Sequence, residues 1–302
     1  MKRIYFILTS FFLFQFLNAQ YEGYSEQSWN DQLKIEESFF KNIDKTSFKK
    51  HLKKLTERPH VVGSEGNQEV IRYIGEVMQL AGMKVTNYPY DVYLPKNPGT
   101  SLIEIVTPNR DVLNQKEDII ENDPYTKDPE LWKGWNAFSG SGDVTAEVVY
   151  ANYGRKEDFE TLKSLGIDVS GKIVIARYGG NFRGYKAKFA EANGASGLII
   201  YTDPQDSGFT KGLVYPNGPY YNSSTIQRGS LLTTDFTGDP LTPFEPALPL
   251  DGKEKIERID PKNAQLHSIP VSPIGYGEAE KILSQMNGDP VPQSWQGGLP
   301  FT

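Results

Sequence analysis

The sequence predicts an α/β fold with a β-rich stretch, and two observations carry that prediction. The first is the segment GKIVIARYGGNFRGYKAKFAEANGASGLIIYTDP at 171–204. Residues 172–178 form a short apolar run rich in β-branched side chains between Gly171 and Gly179-Gly180, as a buried strand reads. From 182 to 193 the spacing turns helical, with Tyr185, Phe189 and Ala192 on one stripe and Arg183, Lys186 and Lys188 largely off it. Gly194 stands where a helix closes through a left-handed residue, and 198–201 make a second apolar strand stopped by Asp203-Pro204. Strand, helix and strand in about thirty residues make one crossover unit whose strands are parallel neighbours. The second observation is a change of texture from Asp91 onward, where short strand candidates alternate with turns rich in Gly, Pro, Asn and Ser.

The elements follow in chain order. Lys2 and Arg3 precede an apolar run at 4–17, and Ala19 supplies a small residue, so 1–19 read as a signal peptide cleaved after Ala19. The run is shorter than the roughly 20 residues of a spanning helix, which points to a secreted or periplasmic protein. After a leader at 20–28, residues 29–43 carry Leu33, Ile35, Phe39, Phe40 and Ile43 as an amphipathic helix. Thr46 or Ser47 is expected to cap a second helix, with Phe48, Leu52 and Leu55 on one face and Lys49, Lys50, Lys53 and Lys54 on a solvated one. Ser64 caps a third, in which Val70, Ile71, Ile74, Val77, Met78 and Ala81 repeat at helical spacing. Gly82 closes it, and 83–88 are expected to enter a strand.

Further on, 101–106 and 145–150 are strand candidates, 109–132 an irregular excursion, and 157–165 a short helix with an acidic first turn. Residues 208–239 read as loop, and 239–249, with four prolines, as extended chain. Residues 269–275 read as a rigid turn into a last helix at 276–286.

Charge and composition exclude several functions. The formal charge is −6, two units more negative without Lys2 and Arg3, so the chain has no general attraction for nucleic acid or an anionic membrane. With no cysteine there are no disulfides and no thiolate metal sites. Of the three histidines, His51, His60 and His267, no pair has the three- or four-residue spacing that sets two imidazoles on one metal. His60 reads as a loop-orienting residue.

Eight stretches, RPHVVGSEGNQ, YPYDVYLP, NAFSGSGDVTAEVVYANYGRKEDF, the crossover unit, QRGS, GDPLTP, IPVSPIGYGEAEKIL and SWQGGL, occur in one order from about residue 29 to 302. In that order the chain resembles the N-terminal part of glutamate carboxypeptidase II and its acidic-dipeptidase relatives among the zinc exopeptidases. The resemblance implies that 29–90 are the first segment of an α/β peptidase domain, incomplete here. It implies that 91–302 are a protease-associated, or apical, domain built on a β-sandwich with helices. In the complete family enzyme two zinc ions do the hydrolysis, calcium binds as well, and the protein is a homodimer.

The zinc ligands and general base belong to a segment beyond these matches, so no catalytic residue, no bound cofactor and no hydrolysis are expected of this chain alone; the missing peptidase half is a possible partner. Arg155 matches the arginine of the Asn-Tyr-x-Arg loop that grips the terminal carboxylate of a peptide or acidic dipeptide, which a planar fork of donors suits. The family asparagine that holds an acidic side chain falls at Tyr220, which implies a broader preference than C-terminal glutamate. Asn222 is the other candidate, and Asn222-Ser223-Ser224 fits a glycosylation acceptor. The carbonyls of Thr242 and Glu245 match a calcium site, expected empty because two carbonyls fall short of the about six to eight oxygens calcium takes. The other reading of the whole is a non-catalytic binding module of the kind the transferrin receptor represents.

Overall fold

Serine and aspartate side chains start the helices that open the chain. The computed structural model describes residues 23–300, so the signal peptide expected at 1–19 lies outside the described residues, as does the start of the leader. The chain falls into two compact units, Met1–Glu57 and Arg58–Thr302. In the first, α1 (Glu26–Lys41) opens on a reciprocal cap between Ser25 and Ser28. Helix α2 (Lys45–Thr56) is capped by Asp44, not by Thr46 or Ser47. The Asp44 carboxylate accepts from the Thr46 amide at 2.9 Å and also takes the Thr46 hydroxyl, and its charge suits a helix N-terminus.

In the second unit α3 (Glu65–Leu80) begins at Ser64, whose hydroxyl accepts from the Asn67 amide at 3.2 Å. Gly82 ends it at φ +81°. The strand expected at 83–88 does not form: that segment has no regular secondary structure, and no ladder includes it among the described residues. Strands β1 (Glu104–Ile105) and β2 (Asp111–Val112) pair as a short antiparallel ladder. Then come β3 (Asn136–Ala137), β4 (Val148–Tyr150), α4 (Lys156–Ser164), β5 (Ile173–Arg177), α5 (Arg183–Ala192), β6 (Gly197–Tyr201) and the single turn α6 (Pro204–Ser207). They are followed by β7 (Gly229–Ser230), β8 (Gly238–Asp239), β9 (Thr242–Pro243), β10 (Val271–Ile274) and α7 (Tyr276–Leu283).

The organising sheet is four-stranded, in the order β10-β6-β5-β4, and every pair in it is parallel. The crossover unit is its centre, with Val174 opposite Leu198 and Ala176 opposite Ile200. Alternation along the strands divides the core in two. Val174, Ala176, Leu198 and Ile200 pack with Phe159 and Leu162 of α4 and with Ala187 and Ala190 of α5. Ile175, Ile199, Tyr201 and Ile274 pack with Tyr276, Ala279 and Ile282 of α7. Both faces are covered, which is why these strands read as continuous apolar runs.

Three further expectations change. Residues 271–274 are not a turn but a strand, β10, against β6. Its prolines hid it, yet it lies at the sheet edge, where a missing N–H costs no ladder bond. The face of α5 is the opposite of the one expected: Gly184, Lys186, Ala187 and Ala190 are buried, while Tyr185 is 46% exposed. And the β-sandwich takes another form: among the described residues the ladders are the parallel sheet and three two-stranded pairs, β1-β2, β3-β7 and β8-β9. Among the described residues no helix is long and apolar enough to cross a membrane.

Candidate functional site

The loop after β4 is held by buried charge. Asn152 takes a left-handed conformation at φ +49°, which asparagine tolerates better than most residues, and Gly154 follows at φ +61°. The Asn152 side chain is a link in a chain of bonds. Its Oδ1 accepts from Arg177 Nη2 at 2.6 Å, and its Nδ2 donates to Asp158 Oδ1 at 2.9 Å. The other Asp158 oxygen accepts from the backbone amide of Arg155 at 2.9 Å. Asp158 is thus spent on the backbone and on Asn152, and it does not pair with the Arg155 guanidinium.

Arg155 itself is the residue before α4, and it is exposed. The guanidinium carbon stands 5.2 Å from the centre of the Tyr153 ring. Among the described residues no carboxylate forms an ion pair or hydrogen bond with that guanidinium. A cation with a fixed base, one aromatic neighbour and free donors can bind an anion from solution. From the other side, Tyr153 is fixed by the Arg177 guanidinium 4.1 Å from its ring centre, and its hydroxyl donates to Asp206 Oδ1 at 2.8 Å. Burial, together with that bond to Asp206, raises the Tyr153 hydroxyl above its ordinary pKa, so it remains a donor.

Beneath the loop lie residues that sequence reasoning passed over. Arg177 is 1% exposed and Lys186 fully buried. Burial pushes the Lys186 ammonium down to about 7. Three oxygens surround its Nζ, however, and only the protonated form has three hydrogens to give them. The signal that could have found Lys186 is the row Gly184, Ala187, Ala190, whose small side chains mark the face that packs closely on a sheet.

The remaining candidates stand apart from Arg155, with which none shares a hydrogen bond, ion pair or ring contact among the described residues. Tyr220 is half-buried, its backbone bridged to Val214 and its ring against Gly212. Asn222 is engaged locally: Oδ1 accepts from the amides of Ser224 and Thr225 at 3.1 and 3.0 Å and from both hydroxyls. That leaves little of its amide for a ligand. The carbonyls of Thr242 and Glu245 converge on Gly238, where an added Cβ would lie 2.5 and 2.8 Å from the two oxygens. Each already accepts one bond, from the Glu245 amide at 3.1 Å and the Thr242 hydroxyl at 3.0 Å. They would offer a calcium ion two ligands of the larger number it takes.

The histidines do not meet either. His60 Nδ1 lies 3.1 Å from the Arg58 carbonyl, and His267 sits between Glu191 Oε2 and the Leu231 carbonyl, each at 3.1 Å. Among the described residues no group of three or more His, Asp or Glu side chains is placed to hold a metal. They do not fit a zinc centre.

Residues 144–234 match the PA domain family. Over 267 residues the chain is 36% identical to a glutamate carboxypeptidase 2 homolog of Caenorhabditis briggsae, an overlap of 85% of this chain and 34% of that one. It is 38% identical over 216 residues to a probable glutamate carboxypeptidase of Arthroderma benhamiae, covering 69% of this chain and 29% of the relative. To the aminopeptidase NAALADL1 of Rattus norvegicus it is 32% identical over 279 residues, covering 88% and 36%. The chain spans about a third of the length of the curated relatives it matches.

Proposed function

Because the chain belongs to the glutamate carboxypeptidase family, we propose that it supplies the carboxylate-binding part of a peptidase that removes C-terminal residues from peptides, with Arg155 as the clamp. What supports the reading is the state of that guanidinium: exposed, on a loop fixed by Arg177, Asn152 and Asp158, and without a carboxylate of its own. Two parallel charge-assisted bonds from such a fork match a terminal carboxylate and not an amide. Tyr220 in place of an amide side chain goes with a preference broader than C-terminal glutamate. We further propose the division into a peptidase segment at 29–90 and an apical domain at 91–302, and export of the protein from the cytoplasm.

The test is calorimetric titration of the chain with N-acetyl-alanyl-alanine and with its C-terminal amide. Wild-type protein should prefer the free acid, and Arg155→Ala should lose roughly tenfold or more of the free-acid affinity while the amide is unaffected. Equal losses on both ligands would remove the clamp from Arg155.

A further inference from the structure

Buried lysines are costly unless their protons are all taken, and Lys186 meets that condition in an unusual place. Its Nζ donates to the carbonyl of Tyr153, to the carbonyl of Gly179 at 2.7 Å and to Asn181 Oδ1 at 2.6 Å. Tyr153 belongs to the loop after β4, whereas Gly179 and Asn181 belong to the loop after β5. One ammonium therefore ties two loops of neighbouring parallel strands together. Gly154, between Tyr153 and Arg155, rides on the stem of the same lysine, where an added Cβ would stand 3.2 Å from Lys186 Cβ.

The second loop in turn makes the bed for the guanidinium. Gly180 is exposed and left-handed, at φ +73°. An added Cβ there would lie 2.5 Å from Arg155 Nε and 2.6 Å from Nη2, so the guanidinium rests against backbone that only glycine leaves bare. Tyr153 closes the arrangement, its ring against Gly179. The donors of Arg155 are aimed by contacts from both loops, and the spacing between those loops is set from below by α5.

We propose that Lys186 is a positioning residue for Arg155, fixing its guanidinium by tying the Asn152–Arg155 loop to the Gly179–Asn181 loop, and that Gly180 is the gap the guanidinium occupies. The proposal rests on the reading of Arg155 as a carboxylate clamp. A lysine that served only stability would change the melting behaviour of the chain but leave the ratio of free-acid to amide affinity as it is. A lysine that aims the clamp changes the ratio.

The same two ligands, N-acetyl-alanyl-alanine and its C-terminal amide, separate these cases when titrated into wild type, Arg155→Ala, Lys186→Met and Gly180→Ala. Methionine keeps the volume of the buried stem and gives up the three bonds, while Gly180→Ala displaces the guanidinium from an exposed position and leaves the core intact. Both variants are expected to bind the amide as wild type does and to lose about tenfold of the free-acid affinity. A folded Lys186→Met that keeps the wild-type ratio overturns the proposal. Should that variant fail to fold, Gly180→Ala decides, and an unchanged ratio there overturns it equally. If Arg155→Ala itself keeps the preference for the free acid, the clamp reading falls, and the positioning role falls with it. Loss in Arg155→Ala with retention in the other two removes the positioning role alone.

Discussion

Helix α3 repeats Val70, Ile71, Ile74, Val77 and Met78 at helical spacing, whereas α5 has the weaker apolar pattern and a lysine in the middle of its packed face. Their burial runs the other way. Along α3 only Gly66 is buried, and Ile71, Ile74 and Met78 are 39%, 40% and 44% exposed. Along α5 Gly184, Lys186, Ala187 and Ala190 are buried against the sheet. Small side chains let the backbone of α5 approach the strands closely, so its core contacts are made by Val174, Ala176 and Ile200 from below. Tyr185 is exposed and stacks on the partly buried Phe189 at 6.0 Å, with Phe182, the residue before α5, edge-on to it. An apolar stripe marks a helix that can be buried; what sits opposite decides whether it is.

The sharpest way to break this comparison is to cut the same chemistry from both regions. Ile200 is fully buried under α5, and Ile200→Ala should cost about 3 kcal/mol, read from the urea midpoint. Ile74→Ala on α3 removes as many carbons and should cost less than about 1 kcal/mol. Equal losses would mean that α3 is held as firmly as α5.

A pair of additions sharpens the contrast. Ala187→Leu overfills the closely packed face of α5 and should destabilise by about 1–3 kcal/mol. Gly75→Ala in the middle of α3 meets nothing nearer than Val85 Cγ1 at 3.9 Å, and should stabilise by roughly 0.5–1 kcal/mol through helix propensity. A gain at position 187 or a loss at position 75 would reverse the packing argument.

The smallest effect is electrostatic. At the end of α5, burial works to raise the Glu191 carboxyl, but the Ser268 hydroxyl and amide and the His267 imidazole together hold it below its ordinary range. A carboxyl with a lowered folded pKa adds stability above its unfolded value, and loses it as the pH falls through the folded value. Between about pH 5 and pH 3 the wild type should therefore lose more stability than Glu191→Gln, by up to about 1 kcal/mol. Identical acid profiles would detach Glu191 from the Ser268 loop.

Much of the fold was legible in the residues. The crossover unit, its parallel strands, the Ser64 cap and the Gly82 stop all appear where the sequence puts them, because each depends on neighbours within a few positions. The placement of Arg155 in the loop between β4 and α4 could also be read, since a loop after a strand is local. Strand β10 could not be read past Pro270 and Pro273, because whether a proline is tolerated depends on which edge of the sheet the segment takes.

Local sequence thus determined the crossover unit, the bounds of α3 and which loop carries Arg155. Only the tertiary structure decided which side of α5 packs, that Asp158 serves the backbone and leaves the guanidinium free, and that Lys186 lies at the centre of a bonded cluster. A lysine has no preference for the interior written into its helical spacing. It goes inside when two backbone carbonyls and the Asn181 side-chain oxygen, from two loops far apart in sequence, meet at one point, and that meeting exists only once the sheet has assembled.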